Sequence, residues 1–210
     1  MIAPAARLRV QARLELVERA WNGREPAWVL EEALGDEELT VRERAAAAAA
    51  DVLEPQRLVE LISNPANLSG RAAAMVALRR AGERSLMALA SGVRGGDQHT
   101  AIFCLQVLGR IRSPLALEVL REAAQSSDVL LVQTAIEALG HQKDTEAVGL
   151  ILEAIDKGPW LAFSAILALG EIGDPRAVSR LEELRARDPM LAETIDQALE
   201  RICPKRRADA

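Results

Sequence analysis

Three glycines, Gly109, Gly140 and Gly170, stand 31 and 30 residues apart, and each closes a run of the same kind. The runs read Cys104-Leu105-Gln106-Val107-Leu108, Ala135-Ile136-Glu137-Ala138-Leu139 and Ala165-Ile166-Leu167-Ala168-Leu169. A short turn follows each glycine, and a second apolar-periodic stretch then begins at Leu115, Ala147 and Ala177. Self-similarity at a fixed period between about 20 and 50 residues marks a repeat array. No other feature narrows the possible folds as much.

The repeated unit is helical. Only 2% of the chain is aromatic and Tyr is absent, whereas 38 of the 210 residues are Ala. Pleated sheets draw on Val, Ile, Thr and aromatic side chains. Helices draw on Ala, Leu, Arg and Glu, which this chain has in plenty. In the first helix (helix A) of the Gly140 and Gly170 units, the positions one, five and nine before the glycine are apolar: Leu139, Ala135 and Leu131, then Leu169, Ala165 and Leu161. That stripe lies near the 3.6 period and faces the neighbouring helices. The many alanines let those helices approach closely.

The turns carry their own signals. Asp174-Pro175, Ser113-Pro114 and Asp188-Pro189 each set a capping side chain before a Pro at the first helical position. Asp97, Asp128 and Asp144 read as further caps. Each unit therefore predicts helix A, a tight turn and helix B, with the glycine ending helix A. Weaker copies lie at 41–53 followed by 58–61, and at 71–81 followed by 86–89. The expected architecture is all-α, a right-handed α-solenoid (superhelix) of antiparallel helix pairs. It is expected as a single domain over 1–210: an N-terminal helical cap at 1–36, about five repeats over 37–187, a C-terminal capping helix at 188–203 and a flexible tail at 204–210.

The run Ala-Leu-Gly-Glu-Ile-Gly-Asp-Pro-Arg-Ala-Val-Ser-Arg-Leu at 168–181 resembles the short, roughly 30-residue HEAT-like repeat. This repeat type is also found in phycobilisome lyase subunits. The signature is specific in the last three repeats and degenerate in the first two, so the resemblance covers residues 97–187. It implies a HEAT/armadillo-like α-solenoid and, for most such proteins, an interaction scaffold or adaptor, here expected in a bacterium. A minority resemble chromophore lyases, and some related repeat proteins bind DNA. The fold is common to all of these and cannot choose among them.

Several classes are disfavoured by the residues themselves. A formal charge of -5 argues against a general nucleic-acid binder. Residues 1–21 contain no apolar core of a signal peptide, and no stretch approaches 18 uncharged apolar residues. Cys104 and Cys203 are too sparse for a disulfide framework and fit a reducing compartment, so a cytoplasmic location is expected. Asn67-Leu68-Ser69 reads as a chance glycosylation match. His99 and His141 lack Cys or carboxylate partners at ligand spacing, so no metal site is expected. Cys104 falls on the core stripe, and Cys203 has no His near it in sequence. The loop 91–96 has glycines but no Gly-Lys-Ser/Thr ending. No cofactor is implied, and the chain is expected to be non-catalytic.

Surface patterning supplies the candidate binding residues. The positions three, seven and ten before the glycine lie opposite the core stripe of helix A. They are Gln106, Ile102 and His99 in one repeat and Glu137, Gln133 and Leu130 in the next. In the third repeat all three are apolar: Leu167, Phe163 and Trp160. Either the terminal segment 188–210 covers this ridge, or it meets a protein partner or a second copy of the chain, with Leu130 and Ile102 alongside. The turns also contribute Arg79, Arg80, Arg84, Arg110, Arg112 and Lys143. They read as a solvated rim or as a docking edge for an acidic protein or phosphate-bearing ligand. Nucleic acid fits this edge less well, because no aromatic residues interleave the basic ones.

Overall fold

The computed structural model describes residues 4–64 and 68–204. The expected tail beyond Pro204, with its Lys205-Arg206-Arg207 run, and Asn67 lie outside the described residues. Among the described residues the regular structure is entirely helical. The order is α1 (Pro4–Trp21), α2 (Trp28–Leu34), α3 (Leu39–Val52), α4 (Pro55–Ser63), α5 (Leu68–Ala81), α6 (Leu86–Gly95) and α7 (Gln98–Leu108), followed by α8 (Pro114–Ala123), α9 (Val129–Gln142), α10 (Val148–Ala154), α11 (Pro159–Ile172), α12 (Val178–Arg187) and α13 (Ala192–Ile202). This is the all-α solenoid pattern of successive helix pairs. No described helix is long and apolar enough to cross a membrane. The packing gathers into two compact units, residues 1–107 and 108–210.

In the first unit, α1, α3 and α5 pack one against the next, with α2 and α4 beside them. Helix α3 is the centre, and its run of alanines explains why. Ala45, Ala46, Ala48 and Ala49 are buried on several sides at once, against α1, α2 and α5. A methyl side chain loses no rotamer freedom on burial and lets the neighbouring backbones come close. The larger side chains that fill the layer are Leu30, Leu58, Ile62, Leu78 and Leu89. Cys104 is fully buried, as its place on the stripe requires, and its Sγ packs against the backbone of Gly92, where an added Cβ would lie 2.6 Å away.

In the second unit, α9, α11 and α13 form the corresponding series, with α8, α10 and α12 packed on it. The core stripe holds at Ala135, Leu139, Leu161, Ala165 and Leu169, all 2% exposed or less. Gly109 directly follows the end of α7, but Gly140 and Gly170 do not end helix A. Gly140 and Gly170 lie inside α9 and α11, and the helices run on through Gln142 and Ile172. The left-handed C-caps are Lys143, at φ 57°, and Gly173, at φ 76°. Gly140 and Gly170 serve close packing instead. A Cβ on Gly140 would fall 2.7 Å from the Cα of Ala168, and one on Gly170 would fall 3.0 Å from the Cα of Ala198.

The aspartate caps form largely as the turns predict. Asp128 accepts from the backbone N–H of Leu130 and Leu131, Asp144 from Glu146, Asp174 from Arg176 and Asp188 from Met190. Asp97 accepts from Thr100 at 2.8 Å. Ser113 is the exception: its backbone is extended and its hydroxyl makes no capping bond. Pro114 alone starts α8, because it needs no N–H partner there.

Candidate functional site

The apolar ridge stands on α11 in the second unit. Its entry is held rigidly. Gly158 adopts φ 153°, which only glycine takes without strain, and Pro159 then opens the helix. The preceding turn is pinned by Asp156, which accepts from Arg180 Nη2 at 2.6 and 2.9 Å and from Arg187 Nη2 at 3.4 Å. The Arg180 guanidinium, with Arg187 behind it, holds the Asp156 carboxyl below its ordinary range.

Trp160 is 79% exposed, Phe163 is 46% exposed, and Leu167 further along the helix is half-buried. The described part of the terminal segment therefore leaves the ridge open. Helix α13 packs on α11 at Gly170 and Ala198, through the buried side chains Ile195, Ala198, Leu199 and Ile202. Beside α11, the start of α9 exposes Val129 and Leu130. In the turn before α13, Met190 is 93% exposed. The polar border is Glu137, which accepts from Ser164 Oγ at 3.2 Å and from Gln133 Nε2 at 3.0 Å. Val129 and Met190 carry no helix-A periodicity signal. Ile102, half-buried on α7, belongs to the first unit and is described with it.

The arginines expected along one edge fall in both units and behave differently. In the first unit, Arg79 and Arg80 are exposed at the end of α5. Arg84 turns back and donates to the carbonyls of Ala50 at 3.0 Å and Asp51 at 3.3 Å, which ties down the end of α3. In the second unit, Arg110 donates to Nε2 of His141 at 2.8 Å. Arg112 lines a cleft of about 570 Å³ with His141, Lys143, Glu171, Gly173 and Arg201.

Other polar groups carry structure. Arg121 holds Asp144 through two bonds of 2.5 and 2.7 Å. Cys203, half-buried, has no disulfide, and the Cys104 thiol is pushed up to about 12 by burial, so it stays protonated and inert. Among the described residues, no group of three or more His, Cys, Asp or Glu side chains is placed to hold a metal ion. His99 and His141 belong to different units.

Residues 128–200 match the family of HEAT repeats. The finer likeness to phycobilisome-lyase subunits does not enter that match. The chain is also similar to deoxyhypusine hydroxylase-B of Oryza sativa subsp. japonica, at 33% identity over 111 residues. That stretch is 50% of this chain and 36% of the relative, so the chain spans little more than a third of the relative's length. The expectation of a chain without catalytic function is corrected at this point, because a relative that aligns with half of this chain at 33% identity is named as an enzyme.

Proposed function

Because the chain carries HEAT repeats, we propose that it is a protein-binding scaffold whose docking face is the α11 ridge with the exposed start of α9. One observation carries this reading: Trp160 and Phe163 are held outward by a pinned turn and stay uncovered by the described part of the terminal segment. Solitary exposed apolar side chains are ordinary, but Trp160, Phe163, Val129 and Leu130 occupy adjoining helices. Trp is also the most frequent anchor of protein interfaces. The partner is a protein with an apolar face, and a second copy of this chain qualifies. The test is a pull-down with the whole chain as bait, set beside Trp160→Ala. A band captured by the wild type and lost with the variant supports the proposal, and identical capture overturns it.

The hydroxylase relative supports a second reading, in which the chain takes part in hydroxylation. Its described residues do not assemble a metal-binding cluster, so no step is assigned to them. Incubation with a deoxyhypusine-containing substrate, followed by mass spectrometry for the gain of one oxygen, tests that reading directly.

A further inference from the structure

The cleft of the second unit is built from the α7–α8 turn and the ends of the alternate helices α9, α11 and α13. Arg112 comes from the α7–α8 turn, His141 and Lys143 from the end of α9, Glu171 and Gly173 from the end of α11, and Arg201 from the last turn of α13. Most arginines elsewhere in this unit are spoken for. Arg121, Arg176, Arg180, Arg185 and Arg187 all sit in ion pairs. Arg112, Lys143 and Arg201 are exposed and have no acidic partner among the described residues. Three unpaired cations thus face one carboxylate, with Arg110 adding a fourth charge behind His141. Lys143 also sits in the left-handed region, where Asn or Gly is the cheap choice and a Lys is strained.

We propose that this cleft binds an acidic peptide segment of a partner protein. The chemistry of the lining selects that occupant. Side-chain carboxylates would pair with Arg112, Lys143 and Arg201, and guanidinium groups take carboxylates through paired N–H donors. Glu171 and the carbonyl ends of α9 and α11 accept hydrogen bonds and disfavour bare anions. A peptide brings backbone N–H donors for those acceptors, whereas a phosphate group brings only more acceptors. The described lining contains no Trp, Tyr or Phe on which a nucleobase could stack, and its one imidazole, His141, is engaged by Arg110. The volume, about 570 Å³, suits a few residues of extended chain.

Fluorescence anisotropy of a labelled Glu/Asp-rich peptide with the whole protein tests this assignment. Saturable binding that weakens as salt rises is expected. The double variant Arg112→Gln with Lys143→Asn should lose about tenfold in affinity. Asn suits the left-handed position, and circular dichroism verifies that the variant keeps its fold. Arg79→Gln with Arg80→Gln, which removes the same charge from the first unit, should bind like wild type. Equal loss in the two double variants would reduce the effect to net charge and overturn the assignment. Displacement of the peptide by inorganic phosphate or a short DNA duplex, at lower charge concentration than unlabelled peptide needs, would overturn it too. So would a failure of the peptide to bind.

Discussion

Gly140 on α9 faces the backbone of Ala168 on α11 so closely that a Cβ on the glycine would lie 2.7 Å from both the Cα and the Cβ of the alanine. The obstacle is main chain, which cannot swing aside as a side-chain tip can. Helix-interior Gly ordinarily costs about 1 kcal/mol relative to Ala. At residue 140 that cost is outweighed by a contact that lets two adjacent A helices pack. Gly140→Ala is therefore expected to destabilise the protein by about 1–3 kcal/mol. Gly149, exposed on α10 with open space at its Cβ position, is the matched control. Gly149→Ala should stabilise by up to about 1 kcal/mol. Urea melts of the two variants decide the matter, and equal shifts of the same sign would refute the packing role.

That pair also marks how far the sequence could be read. The spacing of Gly109, Gly140 and Gly170 announces the repeat, and the stripe one, five and nine before Gly140 and Gly170 is buried where expected except at Leu131, which is half-buried. The reason for the glycine was misread, because a Gly at a helix end most often supplies a left-handed cap. Here Lys143 and Gly173 take that conformation, and only the neighbouring helix shows that Gly140 and Gly170 are contact residues. The ridge was legible, since an apolar residue at positions three, seven and ten violates the amphipathic pattern. The cleft was only partly so. Arg112 and Lys143 stand in turns that can be recognised locally, but Arg201 joins them through stacking of α13 on α11. Arg84 was misplaced for a similar reason: turn membership does not reveal that its side chain folds back onto the carbonyl of Ala50.

Cys104 offers a pH-dependent test. Burial raises its thiol to about 12, whereas an unfolded thiol ionises at its ordinary value of 9.0. Both states are protonated below pH 9, so stability there is indifferent to this group. Between pH 9 and 12 only the unfolded chain loses the proton, and stability falls as pH rises, by at most about 1.4 kcal/mol per pH unit. Cys104→Ala removes that slope and should cost on the order of 1 kcal/mol at neutral pH through lost packing. Chemical melts of both proteins at pH 7 and pH 10 measure the difference. Ready alkylation of Cys104 in the native protein at pH 8 would contradict its burial.

Arg121 and Asp144 tie α8 to the α9–α10 turn. The aspartate is 6% exposed and accepts both guanidinium bonds while also capping at Glu146. The pairing raises the Arg121 pKa further, so the arginine stays charged at every accessible pH. Asp144→Ala removes the cap and both guanidinium bonds to that carboxylate, leaving Arg121 only its pairing with Glu146 at 2.6 Å, which should cost about 1–3 kcal/mol. Asp144→Asn keeps a capping oxygen and should recover part of that loss. The order of melting temperatures, wild type above Asn above Ala, checks the assignment.

The ridge makes stability and binding separable. Had Trp160 and Phe163 been packed under the terminal segment, truncating both would cost several kcal/mol, as large-to-small core changes do. At 79% and 46% exposure they contribute little to the fold of the isolated chain. The double variant Trp160→Ala with Phe163→Ser is therefore expected to melt within about 0.5 kcal/mol of wild type. Helix α11 remains anchored by its other face, where Leu161, Ala165, Ile166 and Leu169 are buried. The same variant should lose the partner, or the dimer where the partner is a second copy. Loss of a Trp anchor in an interface commonly costs 2 kcal/mol or more, roughly thirtyfold in affinity, and light scattering or a pull-down resolves that easily. A variant that melts like wild type and binds like wild type would remove the ridge from the working surface. The exposed start of α9, at Val129 and Leu130, would then have to bind without it, and Leu130→Glu is the substitution that reads this out.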